Sequence, residues 1–271
     1  QAHDGQNWPE YWQESHHFIA KDILKPHCIY WPTMLLSMGI PLPKQVAIHG
    51  YWLIDDSKMS KSRGRVVDPV EYCEKYSRDV FRYYLMRGMR FGRDSSFSFD
   101  SFKDLVNAEL SNNLGNLYSR VVGMCKKNTE GLVPSEVNYQ GVDRDLLDIS
   151  KNLLEKTKSH IDSWQIDDYI GELIQFCDSI NKYINEMKPW ALSKDPGNTE
   201  RINTILRTAL EGIRICLTWL TPVIPDKSKI ILEGMGVNCD PENLMDSLKN
   251  QFFLHGNHSL PLKVEGFPRI E

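Results

Sequence analysis

The chain has 271 residues, which is long enough for one large or two medium-sized domains. Its hydrophobic content of 41%, charged content of 25% and net charge of −4 are typical of a globular protein, and they exclude a surface covered with phosphate-binding cations. No apolar run approaches a membrane span, so we expect no membrane partner. No pair of its cysteines has C-x-x-C spacing, so we expect this chain to bind no metal.

The first predicted elements are those of a parallel strand pair. A short strand over 17–20 precedes a helical pattern over 23–38, in which a first turn tolerates Pro26 and Pro32 is expected to bend the helix. A second strand is predicted over 46–54. A strand, helix and strand of this length normally form a parallel pair with a right-handed crossover.

Two polar features follow these strands. Asp22 comes directly after the first strand, and a segment with four cations in eight residues, Lys58–Arg65, comes after the second. That segment is either a solvated basic turn or a loop that closes lysines onto a polyphosphate. Ligands of open parallel sheets bind at the carboxyl ends of the strands, and this position favours the phosphate loop.

The remainder of the chain is predicted to be helical. A helix over 69–87 ends at Gly88, and the connection over 89–100 is taken as the boundary between domains of 1–100 and 101–271. Apolar residues recur at three and four positions from Ile166 to Met187, which predicts an α-helix bundle. The other predicted bundle helices cover 101–127, 143–163, 197–219 and 224–233, and the tail over 241–271 is expected to be irregular. The predicted fold class is α/β followed by all-α.

Several segments together resemble the C-terminal part of the methionyl-tRNA synthetases, a family of class I aminoacyl-tRNA synthetases. Lys58-Met59-Ser60-Lys61-Ser62 matches the KMSKS signature, which alone indicates class I. The segment from His17 to His27 resembles the family's HFIGKDI…FH segment, with Ala20 in place of the usual glycine and Pro26 in place of an aromatic residue. Further matches are Tyr30–Pro32, Val66–Pro69, Phe81–Leu85, Asn112–Leu117, Lys188–Trp190 and Phe267–Ile270.

The resemblance implies both a fold and a reaction. The fold is the C-terminal half of a Rossmann-like class I catalytic domain followed by an α-helix-bundle anticodon-binding domain. The reaction attaches methionine to its tRNA through a methionyl-adenylate made from ATP, whose Mg²⁺ complex is the substrate. The HIGH signature and the zinc-knuckle insertion are absent from this sequence, so the chain is expected to be inactive without the missing N-terminal half, which is its expected partner. The alternatives are another class I aminoacyl-tRNA synthetase and a non-catalytic tRNA-binding module.

The resemblance also assigns residues to the ATP site. Lys58 and Lys61 are the expected catalytic residues, because they would neutralise the β- and γ-phosphates as pyrophosphate leaves, and Lys61 also binds ATP. Asp22, with its neighbour Lys21, is expected to hold the ribose or orient the loop, and its alternative role is a helix N-cap. His49 and Gly50 are expected to bring backbone near adenine, unless they are an ordinary strand position with a glycine bulge.

The methionine and anticodon residues complete the expected sites. Ile23 and His27, four residues apart, are implied to contact the methionine side chain. Asn112, Asn116 and Arg120 are spaced four apart, and Trp190 follows a proline. The resemblance implies that these four residues meet the CAU anticodon by edge hydrogen bonds and stacking. The alternative is a polar helix face with a buried tryptophan.

The chain termini lead to two further expectations. The first residue is glutamine rather than methionine, which suggests the interior of a longer chain. The sequence ends soon after the bundle, with no appended tRNA-binding domain, and this favours an organellar or bacterial-like form. We therefore expect the cytoplasm or the mitochondrial matrix, with a preference for the matrix.

Overall fold

The computed structural model describes residues 8–54, 57–58, 67–261 and 266–271. They belong to two compact units, Gln1–Val67 with Met89–Ser98, and Asp68–Gly88 with Phe99–Glu271. The chain therefore passes into the second unit at Asp68, returns to the first over Met89–Ser98, and continues in the second from Phe99. The domain boundary near residue 100 stays a prediction.

The first unit contains the predicted parallel strand pair. β1 (His16–Ala20) pairs in parallel with β2 (Gln45–His49), in register from end to end. A short helix, α1 (Trp8–Gln13), precedes β1. Ile19 and Ala47, on the paired strands, are buried, so this strand pair carries part of the core of the unit.

The crossover between β1 and β2 is helical over 21–37, close to the predicted 23–38, but its helix type changes along the chain. It consists of a 3-10 turn (Lys21–Ile23), a π-helical segment (Pro26–Tyr30) and an α-helix, α2 (Trp31–Ser37). Each proline lies in the first turn of its own segment, where the missing N–H costs no hydrogen bond. The helix type changes just before Pro32, and this is how the chain accommodates that residue.

The single strand predicted over 46–54 is divided between two sheets. After β2 the chain enters a second, three-stranded sheet with the order β4-β3-β5. Its strands are β3 (Trp52–Ile54), β4 (Ser57–Lys58) and β5 (Ser95–Ser96). β3 pairs antiparallel with β4 and parallel with β5, so residues from the 89–98 return form part of this sheet.

Gly50 explains where the predicted strand breaks. It is buried between β2 and β3, and a Cβ atom at this position would lie 2.1 Å from the carbonyl oxygen of Arg93. Only glycine lets the two backbones approach this closely. The return segment therefore occupies the space that a side chain at residue 50 would need.

The second unit is a helix bundle, as predicted. Its helices are α3 (Pro69–Tyr76), α4 (Arg78–Arg87), α5 (Phe99–Leu105), α6 (Asn116–Asn128), α7 (Gly141–Asp162), α8 (Ile166–Met187), α9 (Pro189–Leu192), α10 (Thr199–Leu220), α11 (Pro225–Gly234) and α12 (Pro241–Lys249), with a π-helical segment (Val106–Gly115) between α5 and α6. The central helix is α10, because it packs against α6, α7, α8, α11 and α12 and is buried almost throughout. The predicted apolar stripe of α8 is also buried.

Two helix predictions need correction. The helix predicted over 69–87 is broken at Ser77, whose φ of 86° is incompatible with a continuous helix. The tail predicted as irregular contains α12, which begins with a proline directly after Asp240. An aspartate followed by a proline is a common helix start, so the sequence did contain the information needed to predict α12.

Ionic groups buried on α10 hold the tail in place. The carboxylate of Glu211 accepts hydrogen bonds from Arg214 at 2.7 Å and Arg207 at 3.4 Å. The Arg214 guanidinium also donates to the carbonyl oxygen of Ser247 at 2.7 Å, and the backbone N–H of Leu254 donates to Glu211 at 2.7 Å. Each buried charge therefore has a partner, which is the condition for a buried ion cluster to be tolerated.

Candidate nucleotide edge and anticodon-binding face

The carboxyl ends of β1 and β2 form one edge of the first unit. We call residues 20–22 and 49–51 the carboxyl edge. Ala20 lies opposite His49 in the parallel register, so both strands end at the same level. Asp22 lies in the turn directly after β1, and Gly50 directly follows β2. The structure thus brings the predicted ATP-binding residues Asp22, His49 and Gly50 to the same edge.

Asp22 does not occupy the N-cap position of either of the two helical segments that follow β1. The cap position of its 3-10 turn is Ala20, and no side-chain cap bond is made there. The next helical segment is capped by Lys25, again without a side-chain bond. Asp22 is exposed within the first turn, so the structure disfavours its alternative role as an N-cap. Ala20 has φ −81° and ψ 156°, an extended conformation that does not require the glycine usual in the family.

At Gly50 the close backbone approach is to another segment of this chain, whereas the expected approach was to adenine. The backbone of Arg93 lies against Gly50, as described above. The Nδ1 atom of His49 lies 2.8 Å from the Gly50 carbonyl oxygen, so the imidazole is oriented by its own neighbouring peptide. The assignment of both residues to adenine stays a prediction.

Asp94 joins the two strand ends and was not predicted. Its Oδ2 atom accepts a hydrogen bond from the Lys21 ammonium at 2.5 Å, and its Oδ1 atom accepts one from the backbone N–H of Tyr51 at 2.8 Å. The bond to Lys21, followed by the bond to Tyr51, lowers the pKa of Asp94. Seventy-three residues separate Lys21 from Asp94, so no local sequence pattern could have linked them.

The KMSKS segment lies mostly outside the described residues. The backbone of Lys58 belongs to β4, opposite Leu53, but its side chain lies outside the described part of the chain. Lys61 also lies outside it. The catalytic role of both lysines stays a prediction.

The two residues assigned to the methionine side chain are adjacent in the structure. The Nδ1 atom of His27 lies 2.9 Å from the carbonyl oxygen of Ile23, so the imidazole is held against that turn. Ile23 is 41% exposed, which leaves its side chain accessible to a ligand. The His27 ring centroid is 6.0 Å from that of Trp31, which in turn packs edge-on against His17 at 4.9 Å. Trp31 lies in the segment Tyr30–Pro32, which resembles the family but in which no site residue is predicted.

Arg120 and Trp190 meet on the surface of the second unit. The guanidinium carbon of Arg120 lies 5.6 Å from the Trp190 ring centroid, within cation–π range. Lys188 adopts the left-handed conformation at φ 47° and separates α8 from α9, which begins with a buried proline. Trp190 itself remains 44% exposed. The alternative of a tryptophan buried in the bundle is therefore wrong.

Asn112 and Asn116 are also exposed, but the predicted four-residue spacing holds only in part. Asn116 and Arg120 lie in α6, where residues four apart share a face. Asn112 lies in the π-helical segment, which has a different number of residues per turn. The four-residue spacing from Asn112 to Asn116 therefore does not place the two side chains on one face as it would within an α-helix.

Polar residues of α8 support this surface and were also missed. The side chain of Asn113 donates to Asp178 at 2.7 Å and accepts from Asn181 at 2.8 Å. One turn further along α8, Asn185 accepts a hydrogen bond from Arg120 at 3.0 Å. The spacing of 178, 181 and 185 places polar groups on one face of α8, a pattern that the sequence does contain. We call Asn112, Asn116, Arg120 and Trp190 the anticodon face.

Two other observations bear on ligands. Among the described helices, none is both long and apolar enough to cross a membrane. Within the same part of the chain, histidine, cysteine and acidic side chains form no group of three or more that could hold a metal ion.

Comparison with known proteins matches two successive parts of the chain to two family models. Residues 1–122 match a family model for class I tRNA synthetases (M), and residues 133–256 match one for the anticodon-binding domain of methionyl-tRNA ligase. A methionine–tRNA ligase of Caldanaerobacter subterraneus is 36% identical over 98% of this chain and 41% of its own length. One from Brucella suis is 36% identical over 96% of this chain and 50% of its own length.

Solved structures show the same relationship. The methionyl-tRNA synthetase of Mycobacterium tuberculosis bound by methionyl-adenylate matches with a TM-score of 0.88 and 31% identity, over 98% of this chain and 52% of that one. Its apo form matches with a TM-score of 0.87. The chain thus spans about half, or less, of the length of these relatives. Two adjoining family models and relatives that share its fold over almost its entire length show that this chain belongs to the methionyl-tRNA synthetase family.

Proposed function

We propose that this chain forms part of a ligase that attaches methionine to its tRNA. It would supply the KMSKS loop and the anticodon-binding domain. The observation that carries the proposal is the meeting of Asp22, His49 and Gly50 at one carboxyl edge, in a member of this family. A related synthetase binds methionyl-adenylate, the intermediate that such a site would make.

The proposed chemistry relies mainly on positioning and charge. The methionine carboxylate attacks the α-phosphorus of ATP, the bond to the β-phosphate breaks, and pyrophosphate leaves. Negative charge then collects on the leaving group, where Lys58 and Lys61 would neutralise it. Asp22 would accept hydrogen bonds from ribose hydroxyls. The substrate is the magnesium complex of ATP, so the ion arrives with the nucleotide.

Methionine would be recognised beside the same edge. Ile23 offers an exposed apolar side chain, and His27 is held next to it by its bond to the Ile23 carbonyl oxygen. An apolar surface with an adjacent imidazole suits a thioether, which is a weak hydrogen-bond acceptor.

The first unit also presents a surface that suits the missing N-terminal half of the catalytic domain. Among the described strands, β1 and β2 form a two-stranded sheet, so β1 is an edge strand of a kind to which a further strand can be added. Large apolar side chains of the crossover are exposed, among them Ile29, Met34, Leu36 and Met38. Exposed apolar groups clustered on one element mark interaction surfaces. We propose that the missing half covers them and completes the sheet.

The reaction is tested by joining this chain to the N-terminal segment that its relatives carry. We expect methionine-dependent exchange of pyrophosphate into ATP by the joined protein and little by this chain alone. Leucine, isoleucine and valine serve as controls for other class I synthetases. No exchange with any amino acid would leave a tRNA-binding module as the better description, and exchange with one of the control amino acids would reassign the substrate.

RNA binding can be tested with this chain alone. We expect Trp190→Ala to weaken binding of a CAU anticodon stem-loop about tenfold or more, since stacking on an aromatic ring stabilises a bound base by roughly 1–3 kcal/mol. Trp190→Phe retains an aromatic surface and should recover most of the affinity. The measurement is a fluorescence titration of labelled RNA, with a stem-loop of changed anticodon as the control. Equal affinity of Trp190→Ala and the wild type would rule out the anticodon face.

The compartment also remains a proposal. We propose the cytoplasm or the mitochondrial matrix. The bacterial relatives give no support to the preference for the matrix.

A further inference from the structure

We propose that Asp94 is a positioning residue of the nucleotide site, which holds the Lys21 ammonium at the carboxyl edge so that it meets the phosphates of ATP. This inference deepens the proposed function and rests on it. Asp94 itself need not touch the nucleotide, because it would act through Lys21.

The geometry uses both oxygens of the carboxylate. Oδ2 accepts from the Lys21 ammonium at 2.5 Å, just after β1, and Oδ1 accepts from the Tyr51 N–H at 2.8 Å, just after β2. Asp94 therefore fixes the two strand ends relative to each other. The Lys21 ammonium also lies 4.7 Å from the Tyr51 ring centroid, so it is held between a carboxylate and an aromatic face.

The backbone around Asp94 is itself held in place. The carbonyl of Arg93 lies against Gly50, where no side chain fits. The next residue, Ser95, donates its N–H to the Tyr51 carbonyl oxygen at 2.9 Å. The Tyr51 backbone thus donates its N–H to the Asp94 side chain and accepts a hydrogen bond from the Ser95 N–H at its carbonyl oxygen. A carboxylate held this firmly restrains the flexible side chain that it binds.

A second ion pair in the same unit has similar geometry but a different position relative to the strand ends. Lys44 and Glu14 are also separated by 2.5 Å and are also exposed. They lie just before β2 and β1, at the amino ends of the strands, away from the carboxyl edge. The Lys21–Asp94 pair lies beside Asp22 and Gly50, at the end where ligands of parallel sheets bind.

The chemical consequence concerns a polyanion. The Lys21 side chain is 44% exposed, with its ammonium held by Asp94, and Lys21 directly precedes Asp22, the residue proposed to hold the ribose. A phosphate that reaches this edge would meet a cation that is already oriented, so less side-chain freedom is lost on binding. Without Asp94, Lys21 would sample many rotamers and contact the phosphates for only part of the time.

The test uses the joined protein and measures the KM for ATP and for methionine in pyrophosphate exchange. The variants are Asp94→Asn, Lys21→Met and the double variant, with Glu14→Gln as the matched control. Asparagine keeps an oxygen for the Tyr51 N–H but loses the charge that attracts Lys21. We expect each single variant to raise the KM for ATP about tenfold, a typical effect of losing a charge-assisted hydrogen bond. In these variants the KM for methionine and the thermal midpoint of unfolding should remain unchanged. The control Glu14→Gln should leave the KM for ATP unchanged.

The double variant shows whether Asp94 acts through Lys21. If it does, the double variant is no worse than either single one, because the second change removes nothing more. Additive effects, an unchanged KM for ATP in Asp94→Asn, or equal changes in both KM values would each overturn the inference.

A readout that needs no activity separates this inference from the proposed function. In this chain alone, Asp94→Ala should speed hydrogen exchange at the Tyr51 amide, whereas Asp94→Asn should not. An unchanged rate of hydrogen exchange at the Tyr51 amide of Asp94→Ala would refute the geometry. A joined wild-type protein that catalyses no pyrophosphate exchange would refute the proposed function instead.

Discussion

Replacing Asp143 by asparagine is expected to destabilise the helical unit by about 3–5 kcal/mol, because it leaves a partly buried arginine without its counter-ion. The Asp143 side chain is fully buried at the start of α7. It accepts two hydrogen bonds from Arg201, at 2.6 and 2.9 Å, and one from the Tyr183 hydroxyl at 2.5 Å. It also accepts from the backbone of Gln140 at 2.8 Å. The measurement is denaturant unfolding followed by circular dichroism.

An exposed pair of the same type provides the control. Asp226 accepts from Arg78 through both carboxylate oxygens at 2.6 Å, with more than half of each side chain exposed. Asp226→Asn should lower the free energy of unfolding far less than Asp143→Asn, since exposed ion pairs contribute little. Equal losses in the two variants would show that burial does not decide the strength of the Asp143 pair.

The pH dependence of this pair follows from the direction of the pKa shift. Burial acts to raise the pKa of Asp143, but the hydrogen bonds from Arg201 and Tyr183 outweigh it, so the net pKa lies below its usual value. The unfolded chain therefore binds the proton more tightly than the folded one. The stabilisation is present above about pH 4 and is lost as the pH falls through the lower folded pKa. The difference between the wild type and Asp143→Asn should shrink over the same acidic range.

The second large effect is expected at Lys61. In the joined protein, Lys61→Ala should slow methionine-dependent pyrophosphate exchange by about 100- to 1,000-fold, the usual loss when one preorganised electrostatic partner of a transition state is removed. The loss should appear mainly in kcat, since charge builds on the pyrophosphate as it leaves. Initial rates over a range of ATP concentrations measure it.

Lys44→Ala is the matched control for this substitution. Lys44 is an exposed lysine of the first unit, and it pairs with Glu14 at the amino ends of the strands. Its removal should leave exchange within a factor of about two, because surface ion pairs contribute little. If Lys61→Ala behaved like Lys44→Ala, the KMSKS segment would be the solvated basic turn that composition alone allows.

Much of the fold was predictable because its determinants are local. The short apolar run before Lys21 predicts β1, and the three- and four-residue recurrence along 166–187 predicts α8 and its buried face. The start of α12 after Asp240 was also encoded locally and was missed. These features depend on neighbours within one turn or one strand, which a sequence displays directly.

The candidate sites were predictable only where they follow a strand or a turn. Asp22 and His49 are placed by the ends of β1 and β2, and Trp190 by the proline before it. The partners that orient such residues come from distant parts of the chain. Asn185 lies 65 residues from Arg120, and no periodicity joins them.

The sequence by itself determined most of the helices, the parallel strand pair and the family, since each of these depends on local patterns or matched segments. Only the tertiary structure decided that the strand after Gln45 breaks at Gly50 and that Asp94 holds Lys21. It also decided that charged side chains of α10 are buried in the bundle. The physical reason is common to all three. A close backbone approach or a buried ion pair depends on a partner brought together by folding, and its position is not recorded in the residues around it.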